Sequence, residues 1–167
     1  MNTTQQKFVN VGDMVAKALA AEKFNPNNFP LEYDLSVPQA VRAGNAGIID
    51  NGVFSHREIG SSLTVIGSFY LKKVEVTISI TDFLRKLSQN RIYHRPADTN
   101  GYIAFISCYP NKALDGRLSC FNTELGPEDN FPPVICFERI DTLFTAVRLP
   151  PDERTLYRGD TVIVQRI

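Results

Sequence analysis

The chain has 167 residues, 43% of them hydrophobic, and balances 18 Lys and Arg against 18 Asp and Glu. This is the make-up of one ordinary globular domain, able to bury roughly 70% of its unfolded surface without a disulfide or metal staple. Zero net charge argues against a nucleic-acid packager, whose binding depends on neutralising phosphates, so nucleic acid is not an expected partner.

Residues 1–6 are polar and lack the charged and apolar blocks of a signal peptide. No apolar run reaches the length of a membrane span. From Asp13 to Phe24 the pattern is helical: Val11, Met14, Val15, Ala18 and Leu19 recur at three- and four-residue spacing and build one apolar stripe. Asn25-Pro26 stops the helix. Its polar face has no basic cluster, so the stripe is expected on a sheet or a neighbouring subunit rather than a membrane. Residues 25–46 carry Pro26, Pro30 and Pro38. They read as an extended arm, with a short element hidden near Val37–Ala43 as the other reading.

From Gly47 onward strands dominate. Asn51-Gly52, Asn100-Gly101 and Asp115-Gly116 each adjoin β-branched and aromatic runs. Such dipeptides supply positive φ cheaply and are the strongest local hairpin signal. Strands are predicted at 48–50 and 53–56, then at Leu63–Leu71 with a bulge at Gly67. Val74, Val76, Ile78 and Ile80 alternate with polar residues, which predicts Val76 in the core and Thr77 in solvent. Thr81-Asp82 caps a short helix, Phe83–Ser88. Further strands are predicted at Tyr102–Tyr109, Arg117–Asn122, Val134–Arg139, Leu143–Leu149 and Thr161–Arg166, with an acidic loop at Thr123–Pro133. Helices do not alternate with strands, which argues against a doubly wound parallel sheet. The predicted fold is mainly β: an antiparallel sandwich or partly closed barrel, jelly-roll-like, over residues 47–167. An N-terminal helix and arm precede it in residues 1–46.

The residues offer little chemistry. His56-x-Glu58 on a strand would share a face, and His94 could complete a two-His, one-carboxylate set of the kind cupin-like barrels use. The usual His-x-His pair is missing, so neither a metal nor another cofactor is expected. No Ser nucleophile sits in a Gly-x-Ser-x-Gly elbow. Cys108, Cys120 and Cys136 are too widely spaced for a zinc knuckle and lie in apolar runs, as small buried thiols do. Arg158-Gly159-Asp160 reads as a turn into the last strand. Arg91, Tyr93, His94 and Arg95 mix aromatic and basic residues, as nucleic-acid surfaces do, but in a neutral chain they read as a solvated loop.

The expected function is that of a non-catalytic structural or assembly protein, such as a virion capsid-associated or decoration subunit. It would act as a homo-oligomer or within a larger protein assembly, in the cytoplasm or a virion and without a membrane. Phe29 and Tyr33 in the arm are the expected partner-binding anchors. The alternatives are a small β-sheet binding module for a ligand or peptide, and a cupin-like metal-dependent enzyme.

Overall fold

The β-branched and aromatic runs pair into one large sheet that covers a central apolar helix. The computed structural model describes residues 24–34, 38–54, 64–89, 93–112, 116–121, 134–141, 143–150 and 153–167. In chain order the elements are β1 (Phe29–Asp34), α1 (Gln39–Asn45), β2 (Ile48–Asp50), β3 (Thr64–Lys73), β4 (Ile78–Ser79), α2 (Ile80–Ser88), β5 (His94–Pro96) and α3 (Thr99–Cys108). They continue with β6 (Leu118–Cys120), β7 (Ile135–Ile140), β8 (Leu143–Arg148), β9 (Thr155–Leu156) and β10 (Thr161–Arg166).

Strands run in the order β1-β3-β10-β6-β7-β8-β2, with β5 also paired to β10. The protein is mainly β, but the sheet is mixed. β10 and β6 pair in parallel, as do β2 and β8. The remaining pairs of this sheet are antiparallel. The tight hairpin is β7–β8, where Ile140 faces Leu143 and Asp141 takes φ 56°; Asp tolerates this left-handed conformation better than most residues.

The inner face of the sheet carries the main core. Phe29 and Leu31 of β1, Phe69 of β3, Leu118 of β6, Ile135 and Phe137 of β7, Phe144 and Ala146 of β8 and Ile163 of β10 all pack into it. Against them lies α3, buried from Thr99 to Ile106. A helix buried on all sides needs cover on all sides; the sheet and α1 provide it. Tyr102 stacks on Phe137, donates to Ser119 O at 2.7 Å and accepts from Ile163 N at 2.9 Å, tying α3 to three strands. On the outer face, Cys136, Val162 and Val164 meet Ile80, Phe83 and Leu87 of the amphipathic α2, with Leu156 of β9.

Several expectations are corrected. Asn100-Gly101 is not a turn: Asp98 caps a helix there by accepting from Gly101 N at 2.8 Å, and Tyr102–Cys108 is helical rather than a strand. Val76 is 73% exposed because β3 ends at Lys73 and the chain bends before β4. Gly67 makes no bulge; it pairs in register with Leu31. Within the expected arm, Phe29–Asp34 form β1 of the main sheet and Gln39–Asn45 form α1, the element hidden near Val37–Ala43. The predicted helix at Asp13–Phe24, save Phe24, lies outside the described residues, as do His56, Glu58, Asp115 and the loop 123–133.

Candidate functional site

The inner face of β10 runs from the core into a polar, open end. Ile163 and Ala97 are core residues, joined by Ala97 N donating to Ile163 O at 2.8 Å. The same ladder pairs Gln165 with Arg95 and continues with Ile167 N donating to Tyr93 O at 2.9 Å. Alternation therefore places Gln165, Arg95 and Tyr93 on one face, step by step nearer solvent. Arg95 Nε donates to Gln165 Oε1 at 2.8 Å. The Gln165 side chain lies directly over Gly67, where a Cβ would come within 2.8 Å of Gln165 Nε2 and 3.0 Å of the Phe69 ring. Gly67 is thus a close-approach glycine.

Tyr33 and Asp98 stand beside this row. The Tyr33 hydroxyl donates to Asp98 Oδ1 at 3.2 Å, the oxygen that also caps α3. Burial first, then the Asp98 carboxylate, pushes the Tyr33 hydroxyl well above its ordinary range, while Arg95 and Arg42 pull it back. The phenol stays protonated and remains a donor.

The outer face at the same end holds Tyr70, His94 and Arg166. The Tyr70 hydroxyl and His94 Nδ1 share a hydrogen bond of 2.6 Å, and His94 Nε2 is buried with no partner among the described residues. The Arg166 guanidinium lies 5.2 Å from the Tyr70 ring centroid and donates to Asn27 O at 2.7 Å and Asn28 Oδ1 at 3.3 Å. This geometry mainly clamps β5 and the β1 approach onto β3 and β10.

A third surface is apolar. α2 and β9 cover the outer face over β10 and the start of β7, but Ile140 of β7, Leu143 and Val147 of β8 and Ile49 of β2 remain exposed. Register brings them together: Ile140 faces Leu143, Val147 faces Cys136, and Ile49 faces Thr145.

Of the residues singled out from sequence, Phe29 and Tyr33 lie in β1 and are buried. Phe29 packs on Phe24, Phe69, Phe105 and Tyr109, so its contacts are made within the chain. His94 is held by Tyr70. Cys120 and Cys136 are buried thiols, and Cys108 is half-buried. Arg158-Gly159-Asp160 is a turn: Gly159 has φ 98°, and Asp160 is buried in a bidentate pair with Arg117 at 3.1 and 2.9 Å. Among the described residues no group of three His, Cys, Asp or Glu could hold a metal ion, and no helix is long and apolar enough to cross a membrane. Sequence reasoning missed Gln165 and read Gly67 as a bulge rather than a close approach. The signal was an isolated glycine in a long apolar run, which marks a bulge or a close approach. No family model, curated protein or solved structure matches the chain.

Proposed function

We propose that the protein is a non-catalytic assembly protein that works by packing against further copies of itself. The exposed aliphatic face of Ile49, Ile140, Leu143 and Val147 carries this reading. A flat apolar face on a sheet is covered most simply by an equivalent face about 10 Å away, as in a sandwich of two sheets. Zero net charge leaves no long-range repulsion between copies. Four side chains alone fall short of the roughly 800 Å² per partner that a stable dimer buries. The contact therefore extends over the polar residues of the same face, including the exposed Glu138, which pairs with Thr145 between Ile140 and Cys136 and needs a polar partner across the interface. A virion capsid-associated or decoration subunit, or a cytoplasmic assembly, is a setting of this kind. A sandwich-like or jelly-roll-like closure of the sheet, with the N-terminal helix laid over a neighbour, belongs to the same proposal.

Sedimentation equilibrium of the full chain and of Val147→Asp tests it. The expected result is a dimer or larger species for the parent chain and a folded monomer for the variant. A parent chain that stays monomeric at high concentration overturns the proposal.

A further inference from the structure

Three features of the open end of the inner face are unfavourable for a sheet by themselves, and two of them together hold one guanidinium. Gly67 sits within the ten-residue β3, where glycine loses the most backbone entropy and packs no side chain. Gln165 is 9% exposed on a face where an apolar residue would continue the row begun by Ile163. Tyr93 leaves its ring 81% exposed. The missing Cβ at Gly67 makes room for Gln165, and Gln165 Oε1 fixes Arg95 through Nε. Among the described residues, Nη1 and Nη2 of Arg95 have no partner. The guanidinium is therefore fixed at Nε by a buried glutamine, on a side chain that is itself exposed. Such a fork matches the paired oxygens of an oxyanion.

We propose that this open end binds a small phosphate monoester that carries a flat ring, of the nucleoside monophosphate class, with the phosphate on Arg95 and the ring on Tyr93. Arg95 and Tyr93 are two residues apart on one strand face, a spacing of about 7 Å. That span fits a phosphate joined to a ring through a sugar and exceeds the reach of a carboxylate attached directly to a ring. An exposed tyrosine face stacks on a flat ring whatever its substituents. The start of α3 does not compete for the phosphate, because the Asp98 carboxylate already caps it and accepts from Tyr33. A nucleic-acid strand would need a row of cations along its track. Here Arg95 and Arg42 act against Asp98 around Tyr33, which is a balance suited to one phosphate.

Titration of the full chain with adenosine monophosphate, followed by amide chemical shifts, tests the proposal. Saturable shifts are expected at Tyr93, Arg95, Ala97, Gln165 and Ile167. Inorganic phosphate alone and adenosine alone should each bind about tenfold more weakly or worse, since each keeps one anchor. Arg95→Lys should keep a dispersed, folded spectrum and lose affinity by about tenfold or more, because an ammonium cannot form the fork. Gly67→Ala should displace Gln165 and weaken binding without unfolding the chain. Absence of shifts at millimolar ligand overturns the proposal, as does affinity unchanged in Arg95→Lys. An adenine octanucleotide that binds far more tightly than the monophosphate also overturns it, by making the ligand a strand.

Discussion

Two valines two residues apart have opposite fates, and the contrast is measurable. Val74 is 4% exposed, packs with Phe83 and Val162 in the outer cluster, and donates its N–H to Asp160 O at 2.8 Å. Val76 stands in solvent after the chain has left β3. Val74→Asp buries an unpaired carboxylate and should cost an amount comparable with the whole stability margin of a small domain. Val76→Asp should change stability by less than about 0.5 kcal/mol. Thermal unfolding of the pair checks this, and equal melting temperatures would contradict it. Tyr102 carries a second prediction. Its hydroxyl is wholly buried, donates to Ser119 O and accepts from Ile163 N. Tyr102→Phe strands both backbone groups and should cost about 2 kcal/mol or more. A denaturant midpoint unchanged from the parent would show that water satisfies them.

Among the elements, β3, β7, β8 and β10 were legible because each is a long β-branched or aromatic run. α3 was not, because a helix buried all round has no polar face to betray its period. Its Asn100-Gly101 looks like a turn only until Asp98 is seen to cap the helix. β1 was hidden by Pro30, which is tolerated because β1, among the described residues, is an edge strand paired with β3. α2 was read nearly as it stands, although its cap is Ser79, which accepts from Asp82 N at 3.1 Å. The open end of the inner face was legible only in part: Tyr93 and Arg95 stood out as an aromatic and basic pair, but they read as a solvated loop. Its parts come from four separate strands, and only pairing in space brings Gly67, Gln165, Arg95 and Tyr33 together. Ser79→Ala should destabilise by about 1 kcal/mol through the lost cap. Phe29→Ala should cost about 3–5 kcal/mol, because β1 is part of the core and not a detachable arm. A near-neutral Phe29→Ala would show that the sheet does not depend on β1.

At the scale of the whole molecule, the interior is built from acids that are neutral when protonated, and this sets its response to alkali. Burial pushes the Cys136 thiol from its ordinary 9.0 up to about 11, against a pull from Arg117 and a hydrogen bond from Ser119. Burial likewise raises Tyr102 far above its ordinary value, and Tyr33, Tyr70 and Tyr109 move the same way. In each case the folded chain holds its proton to higher pH than the unfolded chain does. Where the unfolded state has fewer protons bound, stability falls as pH rises. The contribution of Cys136 is therefore complete below pH 9.0 and is lost as pH climbs through about 11. Two pKa units correspond to roughly 2–3 kcal/mol. The tyrosines add to the loss at the upper end of that window. The melting temperature should hold steady from neutral pH to about 9 and then fall steeply. Cys136→Ala removes the first titration and should flatten the early part of that fall while leaving the later, tyrosine-driven part. Melting temperatures that do not change up to pH 11, or a Cys136→Ala profile parallel to the parent throughout, would show that these groups ionise as freely in the folded chain as in the unfolded one.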